Sequence, residues 1–334
     1  MKDSYNRNID YLRISLTDRC NLRCKYCMPQ EGVEHVSHND ILSLEEISRI
    51  VSILAKLGIK RIRLTGGEPL IRKNICKLIR DIKNTEGIER VSITTNGTML
   101  KYSIDELVKA GLDDINISLD TLSRDVFNEL TGEDKLEDVL EGIELAIKYN
   151  LKPKINCVPI KEWNEKEISD IAGMAKDKNI DVRFIELMPT SCGKNYCGIE
   201  NGEIKKNLES VFGELKEEVK RELCRDEAQK EEQREKQNGP AIYYRPEGFK
   251  GRIGFISPIS NVFCASCNRI RLTSTGTLKM CLHHDIGVDI REKLRNNSTD
   301  SEITEIIRES ISLKPKEHQM MREAEYTDMF QIGG

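Results

Sequence analysis

Alternation constrains this chain more than any other feature. From residue 10 to residue 188, strand-like stretches at 10–16, 59–65, 90–95, 113–119, 153–158 and 181–187 are separated by helix-like ones. The stretch 44–57 carries apolar residues at 44, 47, 50, 51, 54 and 57, and Ser43 with Glu46 forms a capping box at its start. Leu136, Val139, Leu140, Ile143 and Ile147 repeat that spacing, and Asn164 is expected to cap a third helix through Ile168, Ile171, Ala172 and Ala175. Repeated strand-helix units imply parallel strands with helices outside.

Side chains along a strand point alternately to the two faces of its sheet. Leu12 and Ile14 therefore oppose Arg13 and Ser15, and Ile62 and Leu64 oppose Arg61, Arg63 and Thr65. Val91 and Ile93 oppose Ser92 and Thr94, Ile115 and Ile117 oppose Asn116 and Ser118, and Ile155 and Cys157 oppose Lys154 and Asn156. A parallel sheet is covered on both faces, so a face of Arg, Lys, Asn, Ser and Thr must enclose something polar. A partly closed barrel with a ligand in its lumen meets that demand, whereas a doubly wound sheet does not.

Cysteine usage narrows the chemistry. The 334 residues include 11 Cys, of which six form two triplets, Cys20, Cys24, Cys27 and Cys264, Cys267, Cys281. Cys76 and Cys157 lie in apolar-periodic stretches and read as core residues, while Cys192, Cys197 and Cys224 receive no role. No run approaches 18 apolar residues and the start is polar, so neither a membrane span nor a secretory signal is expected and the protein reads as cytoplasmic. A reducing compartment disfavours disulfides, which leaves metal as the use for the triplets. With 52 Lys+Arg against 56 Asp+Glu the net charge is -4, which argues against a general nucleic-acid binder. Residues 214–236 hold 16 charged residues in 23 and read as a solvated helix or mobile insert.

The loop Cys20-Asn-Leu-Arg-Cys24-Lys-Tyr-Cys27 offers three thiolates and no His. Structural zinc takes four ligands, whereas an iron-sulfur cubane held by three thiolates keeps one iron for a small molecule. Thr65-Gly-Gly-Glu-Pro69 follows the second strand, where glycines admit close approach of backbone to a ligand and Glu68 offers an acceptor for an ammonium. Together the two motifs resemble the radical S-adenosylmethionine enzymes. In that family the open iron chelates the methionine moiety, and an electron from the cluster cleaves the sulfonium to yield a 5′-deoxyadenosyl radical. The second triplet, from the residues alone, admits either a cluster or a Cys3His zinc site completed by His283 or His284.

A longer set of motifs, 13–20 (RISLTDRC), 66–72 (GGEPLIR), 94–97 (TTNG), 183–188 (RFIELM), 254–260 (GFISPIS), 267–271 (CNRIR) and the terminal Gly333-Gly334, resembles the GTP 3′,8-cyclase family of molybdenum cofactor biosynthesis. The resemblance implies an incomplete (β/α)6 TIM-type barrel with a C-terminal cluster-binding extension. It divides the chain into a partial barrel at 1–200, a charged linker at 201–240 and an auxiliary cluster region at 241–334. It implies two 4Fe-4S clusters, one on each triplet, and S-adenosylmethionine at Tyr26, Gly67, Ser118 and Met188, with Glu68 beside them. GTP contacts would fall on Arg13, Arg63, Thr94, Lys154, Arg269, Ile270 and Arg271, with the second cluster's open iron on guanine and the Gly pair reaching the active site. No residue is assigned to catalysis beyond the cofactor-generated radical. The implied partners are an electron donor such as flavodoxin or ferredoxin and, downstream, cyclic pyranopterin monophosphate synthase; a homodimer is admitted. A peptide-modifying radical enzyme with an auxiliary cluster is the competing reading, since it shares the first triplet but gives no reason for Arg269 and Arg271. A non-catalytic metal-binding or nucleic-acid module is the third, and the overall acidity disfavours it.

Overall fold

The computed structural model describes residues 1–29, 36–37, 39–218, 239–284 and 286–318. The terminal Gly pair, Cys224 and all but the first residues of the charged insert lie outside them.

Six strand-helix units form as the alternation requires. Strands β1 (Tyr11–Ser15), β2 (Arg61–Thr65), β3 (Arg90–Thr95), β4 (Asp114–Ser118), β5 (Lys154–Cys157) and β6 (Asp181–Ile185) lie side by side and parallel. Between them run α1 (Leu44–Lys56), α2 (Ile75–Lys83), α3 (Leu100–Lys109), α4 (Arg124–Thr131), α5 (Leu136–Lys148) and α6 (Ile168–Asp177), and α7 (Asn201–Phe212) follows β6. The Ser43/Glu46 capping box is present. Asn164 instead carries no cap: its side-chain amide donates to the carbonyls of Asp120 and Val158 and its oxygen accepts from the Ile160 N–H, tying the ends of β4 and β5 together. A two-strand crossing needed that side chain more than the helix did, and Glu167 stands at the helix start.

The last third extends the sheet at both edges. Strands β7 (Lys216–Glu217), β8 (Ile242–Arg245) and β9 (Arg252–Ile256) lie beyond β6, with β9 parallel to it. Strands β10 (Arg269–Leu272), β11 (Thr277–Lys279) and β12 (Gly287–Asp289) lie beyond β1, with β10 parallel to it. The order is β12-β11-β10-β1-β2-β3-β4-β5-β6-β9-β8-β7, so the parallel run extends from β10 to β9 and the barrel stays open between those two. Lys216 and Glu217, expected within the insert, instead pair with β8 as an edge strand, and Leu215 beside them is buried. Two helices, α8 (Arg291–Arg295) and α9 (Asp300–Ser312), follow β12.

The helix-facing residues Leu12, Ile14, Ile62, Leu64, Val91, Ile93, Ile115, Ile117, Ile155 and Cys157 are all fully buried in one core. Removing such side chains from water is the main stabilising term, about 1.5–3 kcal/mol for each large aliphatic. The opposite face is also buried and is polar: Arg63, Thr65, Ser92, Asn116 and Arg183 lie inside. Among the described residues no helix is long and apolar enough to cross a membrane.

Candidate active site

A cavity of about 360 Å³ fills the lumen. Both cysteine triplets line it, Cys20, Cys24 and Cys27 together with Cys264, Cys267 and Cys281.

The first triplet sits on the loop after β1, and the chain braces that loop from several sides. The Cys27 and Met28 N–H groups donate to the Cys24 carbonyl at 2.9 and 3.0 Å, making a tight turn. Arg23 and Lys25 donate their N–H groups to Thr131 and Leu130 at the end of α4. The glycine pair after β2 runs alongside, with Gly67 N–H donating to Thr17 and Glu68 N–H to Arg19. A Cβ on Gly67 would stand 2.2 Å from the Arg19 carbonyl oxygen, so glycine is demanded here by the protein's own backbone. Glu68 does not face the cavity. It is fully buried, and its carboxylate accepts from the N–H groups of Leu70 and Asn96 and from the Thr95 hydroxyl at 2.7–2.9 Å. Asn96 in turn donates to Asn21 at 2.8 Å and to the Cys20 sulfur at 3.7 Å. The Tyr26 hydroxyl donates to buried Asp120 at 2.6 Å, and Asp120 also accepts from the Val158 N–H at 2.8 Å.

Burial pushes the Cys24 thiol well up, and the charges of Cys27, Asp120 and Cys20 add to the effect. Burial likewise raises Asp120 to about 6 and Glu68 to about 7, against the hydrogen bonds each accepts. The second triplet has cations beside it, although burial still raises Cys264. Cys264 and Cys267 lie on the turn before β10 and Cys281 follows β11. Burial alone would raise Cys267, but Lys314, Arg269 and Arg7 outweigh it and bring the thiol below its ordinary value. The Lys314 ammonium, buried, donates to the carbonyls of Arg269 and Met280 at 2.8 and 2.5 Å. Arg7 donates to the Cys264 carbonyl at 2.9 Å and to those of Pro315 and Lys316, clasping the N-terminal arm to the segment after α9.

Between the triplets lies a row of guanidinium groups. Register places Arg271, Arg13 and Arg63 abreast on β10, β1 and β2. Arg269 stacks over Phe263, and its Nε is buried with no acceptor among the described residues. A buried donor without an acceptor costs about 1–3 kcal/mol, a cost an anion in the cavity would relieve. Arg183 donates to Asn156 at 2.6–2.9 Å and lines the same wall.

Of the residues singled out from sequence, Tyr26, Gly67, Ser118, Met188, Arg13, Arg63, Thr94, Arg269, Arg271 and all six cysteines line this one cavity. Ile270 is fully buried on the opposite face of β10, and Lys154 donates to Asp114 at 2.7 Å, outside the cavity lining. Tyr11, Asp120, Lys314 and His318 also line it and carry no signal singled out from sequence; Arg183, noted only as the start of a motif, and His283, noted only as a candidate zinc ligand, line it as well. Strand alternation, applied to Val182 and Phe184, would have placed Arg183 inside; Lys314 lies in a segment without periodicity.

The donor sets fit the groups the motifs imply. Each triplet presents its three thiols to the shared cavity. Among the described residues no three of His, Cys, Asp and Glu converge on a single metal ion.

Comparison with known proteins agrees. Residues 14–175 match the family model described as the Radical SAM superfamily, and residues 180–320 match that of Molybdenum Cofactor Synthesis C. A GTP 3′,8-cyclase of Clostridium perfringens (strain 13 / Type A) is 45% identical over 337 residues, covering 100% of both chains. One of Peptoclostridium acidaminophilum is 44% identical over 339 residues, covering 99% of this chain and 98% of its own. Among solved structures, Streptococcus suis SuiB bound to S-adenosylmethionine superposes with a TM-score of 0.60 at 17% identity, covering 90% of this chain and 68% of that one, a likeness of fold. Matched to its relatives along their length at such identity, the chain belongs to the GTP 3′,8-cyclase family within the radical SAM superfamily.

Proposed function

We propose that this chain converts GTP to (8S)-3′,8-cyclo-7,8-dihydroguanosine 5′-triphosphate, the first step of molybdenum cofactor biosynthesis. One observation carries the reading: a single cavity is lined by both thiol triplets, one following β1 and the other preceding β10, which is parallel to β1, and by three guanidinium groups abreast on β10, β1 and β2. Two 4Fe-4S clusters and S-adenosylmethionine, when bound, supply the one-electron chemistry that opens the ribose C–H bond.

The chain's own residues bind, orient and exclude water. Cys20, Cys24 and Cys27 hold one cluster and Cys264, Cys267 and Cys281 the other. Tyr26, Gly67, Ser118 and Met188 surround S-adenosylmethionine, and Glu68 serves that site from behind by fixing the turn at Asn96. Arg13, Arg63, Arg269, Arg271 and Thr94 take the nucleotide, whose triphosphate matches a confined set of forked donors. Lys154 acts on it through Asp114 and the lumen's charge, and Ile270 by setting the β10 register. An electron donor such as flavodoxin or ferredoxin, a cytoplasmic location and consumption of the product by cyclic pyranopterin monophosphate synthase belong to the same reading.

The test is anaerobic incubation of the reconstituted protein with GTP, dithionite and S-adenosylmethionine. Formation of 5′-deoxyadenosine with the cyclised nucleotide is expected. Neither product, with about eight irons bound per chain, rejects the proposal.

A further inference from the structure

Tyr11 has no part in the account above, yet it occupies the centre of the cationic wall. It is 8% exposed, lines the cavity and shares a strand face with Arg13. Register sets Arg269, Tyr11 and Arg61 on one rung across β10, β1 and β2, next to the rung of Arg271, Arg13 and Arg63. The phenol oxygen accepts from Arg63 Nε, and the guanidinium carbons of Arg61 and Arg63 lie 5.9 and 6.0 Å from the ring centroid. Guanidinium groups have no acceptor, so within these two rungs the phenol oxygen is the acceptor side chain. Mutual repulsion is real here. Burial first, then Arg269, lowers Arg271 to about 10, and burial with Arg271 pulls Arg13 well down.

We propose that Tyr11 is a positioning residue of the nucleotide end: its oxygen fixes Arg63 through Nε, so that the two terminal nitrogens form the fork offered to the triphosphate. This rests on the reading that these arginines bind GTP. A bond to Nε leaves Nη1 and Nη2 for a ligand, and among the described residues Nη1 donates to Thr94, at 3.5 Å. The phenol is also the group in these rungs that can gain negative charge. Burial would raise it, but the charges of Arg63 and Arg13, the hydrogen bond from Arg63 and the charge of Arg269 bring it to about 8. Facing it are Arg13 from β1, Arg61 and Arg63 from β2, and Arg269 and Arg271 from β10; the nearby carboxylates are committed, Asp10 to Arg61 and Asp114 to Lys154 and Arg90. Above that pH a phenolate competes with the triphosphate for the same guanidiniums, so GTP affinity falls as pH rises.

Equilibrium binding of GTP to the anaerobically loaded enzyme tests this between pH 7 and 9. Tyr11→Phe is expected to weaken GTP about ten-fold at pH 7, in line with loss of a hydrogen bond to a charged group, with S-adenosylmethionine affinity and iron content unchanged. The decline in affinity seen in the wild type above pH 8 should be absent from Tyr11→Phe. Fluorinated tyrosine at position 11, which ionises more readily and keeps the ring, should move the decline to lower pH, and it serves equally if Tyr11→Phe loads iron poorly. Wild-type GTP affinity and an unmoved decline in these variants overturn the proposal. Arg63→Ala separates the two readings: if it too binds GTP normally, the nucleotide site itself is misassigned, whereas if it alone weakens GTP, only the role of Tyr11 falls.

Discussion

The two thiol triplets are alike as ligand sets and differ in the charges set behind them. Around the first triplet burial raises the Cys20 and Cys24 thiols, and the carboxylates of Glu68 and Asp120 add to it, against a smaller opposing effect of Arg23 on Cys20. Around the second triplet Lys314, Arg269 and Arg7 draw Cys267 down, while burial still raises Cys264. Three cysteines can be placed by any loop; what they attract is decided by the residues behind them. Under the proposed function the first end receives a sulfonium and an ammonium and the second a purine with its triphosphate. The cations beside Cys267 suit the triphosphate.

The sharpest way to break this comparison is to remove one thiol from each end. Cys24→Ala and Cys267→Ala should each fall from about eight to about four irons per chain and lose the cyclised product. Only Cys267→Ala should still cleave S-adenosylmethionine. Equal loss of cleavage in both would show the ends to be one functional unit.

Glu68→Ala comes next in size. It leaves two backbone N–H groups and the Thr95 hydroxyl without their acceptor, which should cost about 3 kcal/mol in denaturant unfolding. Unchanged stability with lost S-adenosylmethionine binding would instead make Glu68 a direct contact. At the other end, Arg271→Ala should weaken GTP by about 2 kcal/mol, some 30-fold in dialysis, and leave S-adenosylmethionine binding alone. Tyr26→Phe, which removes the bond to Asp120, should show the mirror image on a smaller scale. We expect about five-fold weaker S-adenosylmethionine, near 1 kcal/mol, with GTP unaffected; a loss on the GTP side would contradict the division between the ends.

Periodicity was a good guide to which face a side chain takes and a poor one to what it meets there. Alternation alone put Arg13, Arg63, Thr94 and Ser118 in the lumen, because a register error would have exposed every leucine and isoleucine opposite them. It put Lys154 on that face too, but face does not specify height, and Asp114 takes the ammonium out of the cavity lining. Motif spacing located the glycine pair yet could not show that the Glu68 carboxylate is consumed by Leu70, Asn96 and Thr95. Strands β9 and β10 owe their place to partners far away in sequence, which no local pattern encodes. Lys314 and Arg7 are legible only in three dimensions, since the carbonyls they hold belong to other segments.

Because β10 is the neighbour of β1, the first strand synthesised waits for one of the last. Until the ribosome has delivered β10, the nascent chain carries an unpaired parallel edge on β1, and β6 keeps another until β9 arrives. Such edges invite pairing with other chains. A product truncated before residue 250 is thus expected to aggregate rather than persist as a half-working enzyme, and a cell making this protein quickly has reason to keep chaperones at hand.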